Sequence, residues 1–272
     1  MGERAASILV AVVQFAPTED RMRNRHRIAA FVAVAAARGA RLVVFPEYSS
    51  YFVHPLGEGF LRNAEPLDGD FVAAMRDSAR EHGVFVVAGL VEQTEDERRF
   101  SNTLVAVSAS GDVVATYRKQ HLYDAFGARE SDWVVPGDLG EPQIFDIDGV
   151  PAGLQTCYDI RFPEVSRRLV DAGAELILVP AEWVRGPLKE HHWQTLLTAR
   201  AIENTVYVAA ADHTPPIGVG TSLIVDPMGV ALAALGETTG VAVAEVTRAR
   251  VAEVRESNPS LALRRYRVEP LD

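Results

Sequence analysis

One short pattern is written twice in this chain, and no other feature constrains the fold as much. The first copy is Arg38-Gly39-Ala40-Arg41-Leu42-Val43-Val44-Phe45-Pro46-Glu47, and the second is Asp171-Ala172-Gly173-Ala174-Glu175-Leu176-Ile177-Leu178-Val179-Pro180-Ala181. Each leaves a helix through a Gly/Ala turn, passes through a short apolar run and stops at a proline. Runs of that length, closed by a residue that cannot continue a sheet, read as buried strands. A strand and a helix precede each copy: residues 8–15 and 21–38 in the first half, 152–156 and 163–171 in the second. Each is followed by a helix (71–82; 190–204), a strand (84–91; 206–210) and a hairpin (103–107 with 113–117; 222–225 with 231–234). Gly111-Asp112 and Pro227-Met228-Gly229 mark the hairpin turns. A last strand spans 241–246. The fold class is α/β. Two β-α-β units with hairpins imply a mixed sheet in each half, the sheets face to face with helices outside. The expected architecture is one domain over 1–272, a four-layer α-β-β-α sandwich with an internal pseudo-twofold repeat.

Charge and composition exclude several functions. A formal net charge of −10 lacks the basic surface that nucleic-acid binding needs. It also means that an anionic substrate must be captured by local Lys or Arg. The opening Met1-Gly2-Glu3-Arg4-Ala5-Ala6-Ser7 has no apolar signal core and carries Ala at position 6, against a myristoylation signal. The apolar helical stretch 28–37 is too short to cross a bilayer. The expectation is a cytoplasmic protein with no membrane or nucleic-acid partner.

The only cysteine, Cys157, lies past the end of the 152–156 strand, followed by Tyr158-Asp159-Ile160-Arg161-Phe162-Pro163-Glu164. Strands of a β-α-β unit are parallel, so Pro46-Glu47, Pro180-Ala181 and Cys157 fall along one edge. Glu47 is then either an exposed loop carboxylate or a general base shielded by Phe45, Tyr48 and Tyr51. Cys157 is either a small buried hydrophobe or a nucleophile. Lys119, in the aromatic-flanked run Tyr117-Arg118-Lys119-Gln120-His121-Leu122-Tyr123-Asp124, is either solvated or a fixed positive charge for an oxyanion. A Cys-His pair using His121 is the chemical rival. The chain has no Gly-x-Ser-x-Gly elbow, no phosphate-binding loop and no His-Glu-x-x-His helix. The adjacent His191 and His192 lack metal-ligand spacing.

Taken in order, these segments resemble the nitrilase superfamily of carbon–nitrogen hydrolases over nearly the whole length. Phe45-Pro46-Glu47, the Lys119 and Cys157 segments, Val179-Pro180-Ala181-Glu182-Trp183, Ala199-Arg200-Ala201-Ile202-Glu203-Asn204 and Asp226-Pro227-Met228-Gly229 carry the likeness. The resemblance implies an α-β-β-α sandwich forming a homodimer or larger oligomer, with residues 250–272 as a tail in those contacts. It implies a Glu-Lys-Cys triad with no metal or organic cofactor: Glu47 as base, Lys119 as oxyanion stabiliser, Cys157 as nucleophile. Glu130 matches a second glutamate beside the lysine, and the backbone N–H of Tyr158 a second oxyanion donor. Cys-Tyr-Asp after the strand resembles the amidase branch, acting on ω-amides of dicarboxylates or deaminated glutathione, where nitrile-cleaving members tend to have Cys-Trp-Glu. An N-carbamoyl amidohydrolase and a catalytically silent scaffold are the alternatives. Arg161 is either a carboxylate contact or a salt-bridge partner of Asp159 or Glu164. Trp183 is either a pocket wall or a core or dimer-contact residue.

Overall fold

The computed structural model describes residues 6–271. In the first half, β1 (Ser7–Gln14), α1 (Arg21–Ala37), β2 (Leu42–Val44), α2 (Glu58–Asn63), α3 (Asp70–His82), β3 (Phe85–Glu92), β4 (Ser101–Val107) and β5 (Val113–Arg118) follow in order. The second half contains β6 (Ile144–Ile147), β7 (Val150–Leu154), α4 (Pro163–Asp171), β8 (Leu176–Pro180), α5 (Lys189–Asn204), β9 (Tyr207–Ala211), β10 (Leu223–Val225), β11 (Ala231–Ala234), β12 (Gly240–Thr247) and α6 (Arg248–Ser257).

Two six-stranded mixed sheets result, ordered β12-β1-β2-β3-β4-β5 and β11-β10-β9-β8-β7-β6. In β1 the side chains of Ile8, Val10 and Val12 enter the core between the sheets, while Ala11 and Val13 pack under the outer helices. In β8, Leu176 and Leu178 face inward, and Ile177 and Val179 face the helices of the other side. A period of two with both faces buried requires apolar residues at every position, which is why these strands read as continuous runs. Each Val, Leu or Ile buried this way contributes roughly 1.5–3 kcal/mol. The sandwich and its repeat are as the sequence implies.

One pairing is added to the sequence reading, and two local readings change. Strand 240–247 does not stay with its own half: β12 pairs antiparallel with β1 in the first sheet. Its counterpart in the second sheet is β6, which reaches β7 through the tight turn at Asp148-Gly149. The segment expected to be a tail from 250 begins inside α6, where Val251 and Val254 are buried and the Thr247 side chain caps the helix by accepting from Arg250 N. Finally, the strand before the cysteine ends at Leu154, so Cys157 opens a short 3-10 turn, Cys157–Arg161.

Two glycines allow backbone approaches that position the site. A Cβ at Gly89 would lie 2.4 Å from Tyr48 N and 2.8 Å from Glu47 Cα, so the loop carrying Glu47 can press on β3 only at glycine. At Gly153 a Cβ would come 2.9 Å from Leu169, which lets α4 settle on β7 just before the cysteine.

Candidate active site

The parallel strands β2 and β7 deliver Glu47 and Cys157 to the wall of one cavity of about 720 Å³, shared with Lys119, Glu130, Glu182 and Lys189. Cys157 has φ of 43°, in the left-handed region that a side chain enters at a cost of roughly 1–3 kcal/mol. The turn sets Cys157 on the cavity wall, and the residue also belongs to the apolar cluster that contains Ile160, Leu169 and Trp183. Its Sγ–H donates to the Glu182 carbonyl at 3.5 Å. Burial, then the Glu47 carboxylate, push the thiol well above the usual cysteine range, against the pull of Lys119. At neutral pH the resting sulfur therefore keeps its proton.

Glu47 is 1% exposed and fully bonded. Its Oε1 accepts from Asn102 Nδ2 at 2.6 Å and Lys119 Nζ at 2.9 Å, and its Oε2 accepts from the Glu182 backbone N–H at 2.7 Å. The residue at 182 thus spans the site through its peptide groups, its N–H on the carboxylate and its C=O on the thiol. The Glu47 carbonyl accepts from His213 Nε2 at 2.7 Å, which fixes that proton on Nε2. Burial lowers His213 to about 4, so it stays neutral.

Lys119 follows β5 and is 2% exposed. Its ammonium lies 2.9 Å from Glu47 Oε1 and 2.9 Å from Glu130 Oε2. Burial alone would lower its pKa, but the Glu130 and Glu47 carboxylates raise it well above the usual lysine range. Two carboxylates engage two of its three donors, leaving one for the cavity. Glu130 is itself clamped by the Tyr48 hydroxyl at 2.6 Å, Asn102 Nδ2 at 3.1 Å and Tyr123 N–H at 2.6 Å.

The remaining expected residues settle as follows. Tyr158 lines the cavity with its ring edge against Tyr123. Trp183 is both wall and core: it borders the cavity, is 3% exposed, and its ring lies 5.3 Å from that of Trp193. Arg161 forms neither salt bridge allowed for it, because Asp159 spends its oxygens on Tyr117 OH, His121 N–H and Thr156 N–H. His121, the rival base, is turned away. Its Nδ1 sits 2.8 Å from Asp159, its ring stacks on Phe162, and it borders a different cavity.

Sequence reasoning missed Asn102, Glu182, Lys189 and the buried pair Asp212-His213. Asn102 stands within Ser101-Asn102-Thr103, a polar patch in a fully buried strand, and Asp212-His213 directly follows the apolar run of β9. Polar residues placed where a strand is buried on both faces were the available signal. Asp212 accepts from the N–H groups of Trp183, Val219 and Gly220, and so fixes the loops around Glu182.

The fold and this site define a two-sheet hydrolase with a carboxylate, an ammonium and a thiol on one cavity. Residues 9–256 match the carbon-nitrogen hydrolase family, and the chain belongs to it. It is 39% identical over 259 residues to the deaminated glutathione amidase of Escherichia coli O157:H7, covering 95% of this chain and 98% of that protein. It is 38% identical over 263 residues to a hydrolase of Mycobacterium tuberculosis, with 91% and 92% covered. Among solved structures, the Caenorhabditis elegans NitFhit protein superposes with a TM-score of 0.87 at 29% identity, over 97% of this chain and 66% of that one. A double mutant of the amidase from Nesterenkonia sp. AN1, in complex with acrylamide, gives 0.80 at 26% identity, over 96% and 99%. No helix among the described residues is long and apolar enough to cross a membrane, and no group of three or more His, Cys, Asp or Glu among them is placed to hold a metal ion.

Proposed function

We propose that this carbon–nitrogen hydrolase cleaves a small linear carboxamide through a Cys157 thioester, releasing ammonia and a carboxylate. The observation that carries the reading is the single hydrogen-bonded unit of Glu47 and Lys119 on the cavity that Cys157 borders. Glu47 takes the thiol proton as Sγ bonds to the amide carbon. The free donor of Lys119, with the Tyr158 N–H, holds the oxyanion; such a donor is worth about 2.7–4 kcal/mol. Collapse breaks the C–N bond, and the proton on Glu47 leaves with the nitrogen as ammonia. Water then attacks the thioester, giving its proton to Glu47. The C–S bond breaks, and the sulfur regains a proton from the same carboxyl. Because the resting thiol is protonated, proton transfer and attack occur together, which demands a base already aimed.

Glu130 positions Lys119, and Trp183 and Tyr158 wall the acyl side. Deaminated glutathione, named for the Escherichia coli relative, is the first amide to test. A homodimer or larger assembly is part of this proposal, with the exposed Leu263, Tyr266 and Leu271 of the C-terminal segment as its contact residues. The lone unpaired thiol fits a reducing compartment such as the cytoplasm.

Ammonia release is measured from deaminated glutathione, α-ketoglutaramate, N-carbamoyl-β-alanine and simple nitriles, with Cys157→Ala alongside. The reading requires turnover of an amide that disappears in the variant. Turnover of the carbamoyl compound or of nitriles alone, or of nothing, sinks it.

A further inference from the structure

Lys119 and Cys157 come to the cavity from different sheets. Lys119 directly follows β5, the edge strand of the first sheet, and Cys157 follows β7 in the second. No strand ladder joins β5 to β7, so another contact must set the distance between ammonium and sulfur. Glu47 has such ties: the Glu182 N–H and the His213 ring, each just past a strand of the second sheet, hold it. For the Lys119 segment the tie is Asp159. Among the described residues, every hydrogen bond between residues 117–121 and the turn 156–161 ends on this carboxylate.

Asp159 is fully buried and stands two residues past Cys157 in the 3-10 turn. Its Oδ2 accepts from the Tyr117 hydroxyl at 2.7 Å and from Thr156 N–H at 3.1 Å. Its Oδ1 accepts from His121 N–H at 3.0 Å and lies 2.8 Å from His121 Nδ1, which carries its proton there because a carboxylate only accepts. The Thr156 bond serves the turn itself. The other three donors belong to the residues two before and two after Lys119. Tyr117 and Lys119 share a face of the extended chain, so a clamp on Tyr117 also sets where Lys119 points. The His121 ring, stacked on Phe162 with 3.8 Å between centroids, secures the other side. A buried polar network satisfied this fully is rigid.

We propose that Asp159 is a positioning residue of the reaction, fastening the Lys119 segment of one sheet to the Cys157 turn of the other and so setting the geometry of ammonium and sulfur. This rests on the amide-hydrolysis reading above. Asparagine has the same size, but it offers one acceptor oxygen and turns an NH2 towards N–H and O–H donors. The two segments would then shift apart, and a misplacement of about 1 Å costs on the order of hundredfold in rate.

Iodoacetamide alkylation reads this geometry without any substrate, because the thiolate is what reacts and Cys157 is the only cysteine in the chain. Lys119 favours that thiolate. Removing the Asp159 charge by itself would also favour it and speed alkylation, whereas lost alignment with Lys119 slows it. The two effects have opposite signs. Asp159→Asn is expected to slow alkylation by about ten- to hundred-fold, and by less than about twofold when added to Lys119→Met. Tyr117→Phe removes one donor and keeps the ring. It should slow alkylation about three- to tenfold with the same dependence on Lys119, and it carries the test should Asp159→Asn not fold. Alkylation that is unchanged or faster, or that slows equally with and without Lys119, overturns the proposal. Turnover separates the two ideas. Slowed alkylation in a protein whose unmutated form hydrolyses no amide defeats the amidase reading alone. Amide hydrolysis in which Asp159→Asn fails to lower kcat about tenfold or more, with KM held within about threefold, defeats the positioning role alone.

Discussion

The ends of β2 and β8 are the two copies of the repeat, and they put the same scaffold to different use. After β2 the chain reads Phe45-Pro46-Glu47-Tyr48; β8 closes on Pro180, followed by Ala181-Glu182. At the first end the side chain of Glu47 borders the cavity, with three donors on its two oxygens. At the second, the matching residue is Ala181, and what enters the site is the backbone of Glu182, bonded to Glu47 on one side and Cys157 on the other. The Glu182 side chain borders the cavity with an Oε1 that is buried and unpartnered. One strand end places a carboxylate on the cavity, and the other places peptide groups that bond it; in the proposed mechanism that carboxylate is the base. An active site built from both sheets also explains why neither half could hold it alone.

That asymmetry can be broken most severely at Glu47. Glu47→Gln removes the proton acceptor while keeping the shape, and kcat should fall by about 10²–10⁴-fold in an ammonia-release assay. A loss of less than tenfold would transfer the base role elsewhere. Next is Lys119→Met, expected to lower kcat by about 10²–10³-fold. It also leaves Glu47 and Glu130 buried without their cation, at about 3–5 kcal/mol of stability read from urea unfolding.

His213, which fixes the Glu47 carbonyl, should give a pH signature of its own. Its folded pKa of about 4 lies below the ordinary histidine value of 6.5, so the unfolded chain binds the extra proton between those pH values. Stability from this residue is full above about 6.5 and is lost as pH falls towards about 4, at about 1.4 kcal/mol per pH unit. Urea midpoints followed over that window should fall more steeply for the native chain than for His213→Gln; parallel slopes would contradict the buried neutral imidazole.

The smallest effect belongs to Glu182. Burial, then Glu47 and Asp212, raise its carboxyl well above the usual range, and Glu182→Gln keeps the side chain's shape while removing only its charge. The backbone groups that matter are untouched. A change in kcat/KM below about fivefold is expected; a larger loss would show that the side chain works ionised.

Much of this was legible in the residues because burial on both faces writes itself as apolar runs. The repeat placed β2 and β8, the glycine and proline punctuation placed their ends, and parallel topology put Glu47 near Cys157. Element identity carried less well where length was short: α2 has six residues and β6 four, too few to establish a period. The pairing of β12 with β1 was invisible because a strand's residues record that it is buried, not which sheet buries it. Asn102, Glu182 and Lys189 were missed for a related reason. Each acts through neighbours far along the chain, and a polar residue shows its partners only after the fold has assembled them. Arg161 shows the converse: nearby Asp159 and Glu164 suggested ion pairs in sequence that the turn geometry does not form.

In the proposed mechanism Cys157 carries the acyl group between the two halves of the reaction. Rapid acid quench during turnover, followed by intact-mass and peptide spectrometry, tests it most directly. The protein should gain the mass of the amide substrate less ammonia, located on the peptide containing Cys157, and Cys157→Ala should gain nothing. Ammonia release that continues in Cys157→Ala, or an acyl group found on another residue, would contradict the account.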